Sequence, residues 1–469
     1  MHTILRAAAA AVIVGSLAYA QTAVDPFPTP IPATEGVVTV NVREFASLPD
    51  IDGVAARMMH IVTEPGTKRL MVNDQRGQLY RVSEDGKQVS LYLDLNAQGA
   101  AVQSMGRERG FQSFAFHPQF NQRGARGYGK FYTYNDSSNM APTPDFKPAP
   151  GSATPPTNHA ILLEWTARTP GAASYDGAAP RELLRWEDPF QNHNGGMMAF
   201  NPLAQPNSPD YGMLYVGLAD GGSGGDPLKQ AQNLGIAFGK IFRIDPLGNN
   251  SSNKKYGIPA DNPMRNTPGA LPEIYAYGVR NPQRFAWDSR NGAMFASDIG
   301  QNVVEEISQV RPGANLGWNT WEGSYRFISN QAGVQIEGPR ADPTVTFPIV
   351  EYGQLDPLLQ PQSAAGGLVV YRGTQVPQLA NLLILADMPS GEIFYVSADR
   401  LPSGGQDAIR RILVNDGTGP KTLLQAIKEK NMAQGKRPAT RADLRMNVGP
   451  DNQVFLLNKG DGTIRVFAR

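Results

Sequence analysis

His193 is the residue in this chain best suited to chemistry. It stands in Gln191-Asn192-His193-Asn194-Gly195-Gly196-Met197-Met198-Ala199-Phe200, where a polar turn runs into an apolar strand. The sequence has 5 histidines, and no other is followed by glycines two and three positions later. An imidazole moves protons near neutral pH. Paired glycines beside it let a ligand approach the backbone without meeting a Cβ. A single histidine ahead of a strand is more often a turn or packing residue, so the reading needs company. Three other polar runs supply it: Gly106-Arg107-Glu108-Arg109-Gly110 leading into Phe111 to Pro118, then Tyr277-Gly278-Val279-Arg280-Asn281-Pro282-Gln283, then Asp298-Ile299-Gly300-Gln301 with Glu305-Glu306.

Each run falls just before or just after an apolar strand, and such strands recur along the whole chain. One unit is Met58 to Val62, Arg69 to Asp74 and Gly77 to Val82; the others are led by Phe114 to Pro118, Met197 to Pro202, Arg284 to Asp288, Gly367 to Tyr371 and Arg445 to Val448. Each unit reads as a β-meander that cannot bury both faces alone, and radial stacking of such units is the propeller solution. The fold class expected is therefore all-β, a six-bladed β-propeller with long loops on one face. The segment Val37 to Val42 has no partner in the first unit and is expected to close the ring as the outer strand of the last blade. Residues 136–158, 249–271, 323–362 and 417–442 are too long for hairpins and are expected to shape the mouth of a central channel.

The remaining organisation is simple. Met1 to Ala20 has a short basic start, an apolar stretch and an Ala18-Tyr19-Ala20 cleavage pattern, the layout of a signal peptide that sends the protein to the periplasm or outside the cell. Residues 21–35 read as a flexible Pro-rich lead and residues 36–469 as one domain. Nothing after the leader is apolar for long enough to span a membrane. The absence of cysteine excludes a disulfide framework, a thiolate metal site and a Cys nucleophile. With 43 basic and 42 acidic side chains, nucleic acid is not an expected partner.

Taken in order, the Gly-Phe-x-x-Phe-Ala-Phe-His-Pro run, His193-x-x-Gly196, Ala231-Gln232-Asn233 with Gly239 to Ile244, and Gly278-x-Arg280-Asn281-Pro282-Gln283 resemble the glucose/sorbosone dehydrogenase family, over roughly Asp50 to Arg465. That resemblance implies a soluble quinoprotein using pyrroloquinoline quinone (PQQ) and Ca²⁺. It implies that His193 is the general base for a sugar C1 hydroxyl, with Glu108 near it and able to orient its ring. It implies that Arg280, Asn281 and Arg445 hold the quinone, whose three carboxylates suit guanidinium forks. Backbone carbonyls of Gly300 and Gln301 would ligate the cofactor's Ca²⁺, and Glu305 and Glu306 would serve a second, structural ion. The partners implied are a small sugar and an external electron acceptor.

The chain departs from the family pattern in places. The family places a lysine near the quinone in the fifth blade, but the turn Asp387-Met388-Pro389-Ser390-Gly391 has none. The arginines before the last blade reduce to Arg441 and Arg445 in shifted register, and Arg284 replaces a usual glycine. The Asp298-Ile299-Gly300-Gln301 stretch is closer to the hedgehog-interacting-protein branch, whose members need not be quinoproteins. Two alternatives stay open: a non-catalytic propeller that binds a protein or glycan, and a Ca²⁺-dependent sugar lactonase using Glu108, Asn281 and Asp220.

Overall fold

The strands are long apolar runs bounded by Gly, Pro, Asn and Asp, and most are buried on both faces, as in Leu214–Leu218 and Met294–Asp298. A strand buried on both sides must have a packing partner on each. A computed structural model describes residues 24–105, 108–152 and 155–469. The leader expected at residues 1–20 lies outside the described residues, as do Gly106 and Arg107.

Four separate antiparallel meanders follow one another in sequence. They begin with strands Met58–Thr63, Phe111–Phe116, Met198–Phe200 and Pro282–Trp287. A nine-stranded sheet joins two more, one beginning with Ala365–Tyr371 and one with Arg445–Val448. Apolar clusters lie between each meander and the next. Met71, Leu79, Phe111 and Phe114 join the first two, and Phe45, Met58, Val72 and Phe455 join the last back to the first.

Closure of this arrangement depends on Val38–Ser47. Its residues alternate, with Val40 and Val42 buried and Thr39 and Asn41 exposed, as a strand of period two requires. It pairs antiparallel with Thr463–Ala468, as the sequence predicts, and also parallel with Arg410–Asn415 of the fifth meander. The chain's beginning therefore ties together two meanders formed at its end. Each buried aliphatic side chain on this strand is worth about 1.5–3 kcal/mol.

Three expectations change. The lead is not free over its described part: Ile31 N–H donates to Asp356 Oδ2 at 2.7 Å, Gln406 Nε2 donates to Thr29 O at 2.7 Å, and Phe27 and Ile31 are buried. Its two apolar side chains give it a reason to dock. The long loops do not gather on one face. Residues 249–271 pack where strand Lys240–Ile244 ends, with Arg243 Nη1 donating to Asp261 Oδ1 at 2.9 Å, at the end of the third meander opposite His193. Residues 417–442 contain the helix Leu423–Ala433, started by a capping box between Thr422 and Gln425 and held by buried Leu423, Ala426 and Ile427. No helix among the described residues is long and apolar enough to cross a membrane.

Candidate active site

The second strand of each meander runs back toward the end from which the first strand departs, and an acid or amide stands at its end or within two residues of it. These residues are Asp74, Asp136, Asp220, Asp298, Asp387 and, in the last meander, Asn458. In four meanders the carboxylate clamps the backbone just ahead of the first strand. Asp74 accepts from Arg57 N–H at 3.0 Å, Asp136 from Gly110 N–H at 2.8 Å and Asp387 from Ala364 N–H at 2.8 Å. Asp298 takes two such bonds, from Arg280 N–H at 2.7 Å and Asn281 N–H at 2.6 Å.

The third meander breaks the pattern. Asp220 Oδ1 lies 2.7 Å from the Nδ1 of His193 instead of clamping its backbone. Asp220 also accepts from Gly222 N–H at 2.9 Å and from Trp318 Nε1 at 2.8 Å, so both of its oxygens are committed. The backbone N–H of His193 is held by Glu108 Oε2 at 2.7 Å. Glu108 therefore fixes the turn rather than the ring, a correction to the orienting role implied by resemblance. Asp220 is the ring's partner, and sequence reasoning had considered it only as a lactonase ligand.

On the other side of the ring, Nε2 lies 2.8 Å from Arg280 Nη2. A guanidinium can only donate, so Nε2 is the acceptor and the ring proton sits on Nδ1, donated to Asp220. The lone pair of a base is thus presented at Nε2. His193 holds this position with φ +57°, an αL conformation sparsely populated by non-glycine residues. Arg280 is itself fixed, with Nε donating to Gln301 Oε1 at 3.1 Å, Nη1 to Ile299 O at 2.9 Å, and its guanidinium 5.7 Å from the Trp318 ring.

The two glycines after His193 have a different use from the one expected. A Cβ on Gly195 would lie 2.7 Å from Ala219 N, and one on Gly196 would lie 2.6 Å from Gln112 Cβ. They make room for the neighbouring strands, and Gly195 also borders the cavity onto which His193 opens.

His193 and Arg280 open onto a cavity of about 490 Å³ that Glu108, Asn281, Gly300, Gln301, Arg441, Arg445 and Lys459 also line. Lys459, on the turn before the last strand, is partly buried and lines the same cavity, and desolvation lowers its ammonium to about 7. Burial likewise lowers Arg445 to about 10. Arg284 lies deeper, near Arg445, and donates to Met59 O and to Gln283 O.

Glu305 and Glu306 do not form a shared ion site. As successive residues of strand Val304–Val310 they face opposite sides. Glu305 accepts from Ala365 N–H at 2.7 Å and Gln354 Nε2 at 2.6 Å, while Glu306 accepts from Gly323 N–H at 2.6 Å. Burial raises Glu305 to about 8 and holds Glu306 well above its ordinary range. No cluster of three His, Asp or Glu side chains able to hold a metal occurs among the described residues. The lactonase set does not converge either, because Asp220 and Glu108 are spent on His193 and its neighbours.

Comparison with known proteins places the chain in a family and a fold. The family model for glucose/sorbosone dehydrogenases matches residues 57–418. The HIPL1 protein of Arabidopsis thaliana is 31% identical over 312 residues, 60% of this chain and 43% of that protein. Aldose sugar dehydrogenase YliI of Escherichia coli is 26% identical over 255 residues, 52% of this chain and 59% of that protein. The chain spans about half the length of the curated relatives it matches. The PQQ-bound aldose sugar dehydrogenase of Streptomyces coelicolor superimposes with a TM-score of 0.56 at 19% identity, covering 94% of this chain and 99% of that one. The propeller-type all-β architecture and the ordered motifs define a class of sugar-dehydrogenase-like proteins. The chain belongs to the glucose/sorbosone dehydrogenase family.

Proposed function

We propose that the protein is an exported, PQQ- and Ca²⁺-dependent dehydrogenase that oxidises the C1 hydroxyl of an aldose, or a related sugar aldehyde, and that its six meanders are the six blades of a propeller. The observation that carries this is the His193 imidazole, anchored at Nδ1 by Asp220 and presenting Nε2 at a cation-lined cavity.

The residues present fit the cofactor. PQQ is a planar tricarboxylate, and Arg280, Arg441, Arg445 and Lys459 line one cavity. The buried Arg445 Nε has no hydrogen-bond partner among the described residues, which suits a ligand carboxylate. Gly300 and Gln301 line the same cavity and would offer backbone carbonyls to Ca²⁺, a hard cation that takes oxygen ligands.

When bound, PQQ supplies a two-electron acceptor for the C1 hydride, later emptied by an external electron acceptor. The chain's own task is proton removal and placement. Nε2 of His193 accepts the hydroxyl proton, and the Asp220 carboxylate balances the imidazolium that forms. Arg280 and Asn281, pinned through their backbone by Asp298, hold ligand oxygens in register with Nε2.

One contact favours a second reading, a propeller that binds a protein or glycan without turnover: Arg280 Nη2 occupies the lone-pair direction of Nε2. Calorimetric titration of the apoprotein with PQQ, with and without Ca²⁺, separates the two. The quinoprotein reading predicts saturable 1:1 binding that strengthens with Ca²⁺ and weakens about tenfold or more in Arg445→Ala, the size expected for a buried charge-assisted bond. Absence of binding under all conditions supports the second reading.

A further inference from the structure

We propose that Asp136, as a carboxylate, is the positioning residue that locks the Glu108 loop to the His193 turn, with Asp188 beside it as its protonated partner. Asp136 is the penultimate residue of the second strand of the second meander, Lys130–Ser137, Asp188 follows the fourth, Arg181–Glu187, and both are buried. Neither touches the cavity that His193 faces.

The two carboxyls are unequal in what they hold. Asp136 receives four N–H donors: Gly110 N at 2.8 Å and Gln112 Nε2 at 2.9 Å on Oδ2, and Asn158 Nδ2 at 3.1 Å and Asn194 Nδ2 at 3.0 Å on Oδ1. Gly110 and Gln112 follow Glu108, and Asn194 follows His193. One carboxylate therefore joins two segments that also meet through the Glu108 bond to the His193 backbone. A group surrounded by donors is best served by a full negative charge.

Among the described residues the Asp188 side chain accepts from Asn158 Nδ2, the same amide that donates to Asp136 Oδ1, so the two carboxyls lie side by side. Two buried carboxyls in contact cannot both ionise without cost, so one proton lies between them and belongs to Asp188. The charged and titratable groups facing the pair are Arg109 and Tyr134. Arg109 is turned toward Gln103 Oε1 at 3.0 Å and Thr157 Oγ1 at 2.7 Å, and it lowers both carboxyls without neutralising them. Burial still raises both carboxyls above the ordinary range, Asp188 well above it. Both folded values lie above the unfolded ones, so ionisation of the pair costs stability, and that cost grows as pH rises through the pair's titration.

The test is hydrogen exchange of the apoprotein, corrected for intrinsic rates, followed at residues 108–112 and 193–196 from about pH 6 to about pH 9, the range in which the raised pair titrates. In the wild type, protection of both segments falls together as pH rises. Asp188→Asn supplies a permanent amide donor in place of the proton, so it keeps protection at pH 6 within about twofold and abolishes the alkaline loss. Asp136→Asn points a donor at donors, and protection of both segments falls about tenfold or more, the cost of a broken buried charge-assisted bond. Should Asp136→Asn not fold, the Asp188→Asn arm still decides the matter. Loosening by Asp188→Asn, or an alkaline loss that persists in it, overturns the assignment. Because the readout uses apoprotein, this failure and failure of the quinone reading are distinguishable; only the working role of His193 is carried over from that reading.

Discussion

At the scale of the residue, the site is a question of which atom of His193 is free to work. Asp220 takes Nδ1, and Nε2, which accepts from Arg280 Nη2, is the nitrogen that a ligand in the cavity must win from that guanidinium. Asp220→Asn keeps the shape but offers an amide that can hold the opposite tautomer or a turned ring. Turnover is expected to fall on the order of 10²–10⁴-fold while PQQ affinity stays within about twofold, as measured by steady-state kinetics beside calorimetry. An equal loss of binding would mean that Asp220 shapes the cavity rather than the base. His193 and Arg280 were legible in sequence because their types and neighbours are unusual. Asp220 was not, since it lies 27 residues from its partner. It becomes visible only when strands Met198–Phe200 and Leu214–Leu218 are paired, with Met198 opposite Val216, which brings the two polar ends together. The use of Gly195 and Gly196 was likewise hidden, because what fills the space beside them comes from strands distant in sequence.

At the scale of the element, the recurring acid at the end of the second strand explains how one repeat supports both structure and chemistry. Where Asp74, Asp298 and Asp387 clamp a backbone N–H, the entering strand is fixed. Where Asp220 releases that duty to Glu108, a ring can be held instead. The strands themselves were readable from alternation and apolar runs. The helix Leu423–Ala433 was missed although Thr422-Leu423-Leu424-Gln425 is a capping-box pattern, because the surrounding glycines and polar residues read as loop. Likewise, the residues that anchor the lead, Phe27 and Ile31, are single apolar side chains with no period to announce them. The closing strand gives a direct test. Val40 is fully buried between the fifth and last meanders, whereas Thr39 faces solvent. Val40→Ala is expected to cost about 2 kcal/mol in denaturant unfolding, and Thr39→Ala within about 0.5 kcal/mol. Equal costs would contradict the closure described.

At the scale of the whole molecule, meanders packed one on the next leave a polar end where six turns converge, and chain-distant segments supply its parts. Arg280 arrives from the fourth meander, His193 from the third, Glu108 from the approach to the second, and Arg445 and Lys459 from the last. The chain is nearly balanced at a net charge of +1, while the cavity gathers four basic side chains, Arg280, Arg441, Arg445 and Lys459, against two acids, Glu108 and Asp443. The measurement that bears most directly on this account is aldose-dependent dye reduction by purified protein reconstituted with PQQ and Ca²⁺, wild type beside His193→Ala. The account predicts turnover that requires both PQQ and sugar and falls at least about 100-fold in His193→Ala with PQQ still bound. Activity unchanged in His193→Ala, or no aldose-dependent reduction by a PQQ-loaded wild type, would contradict it.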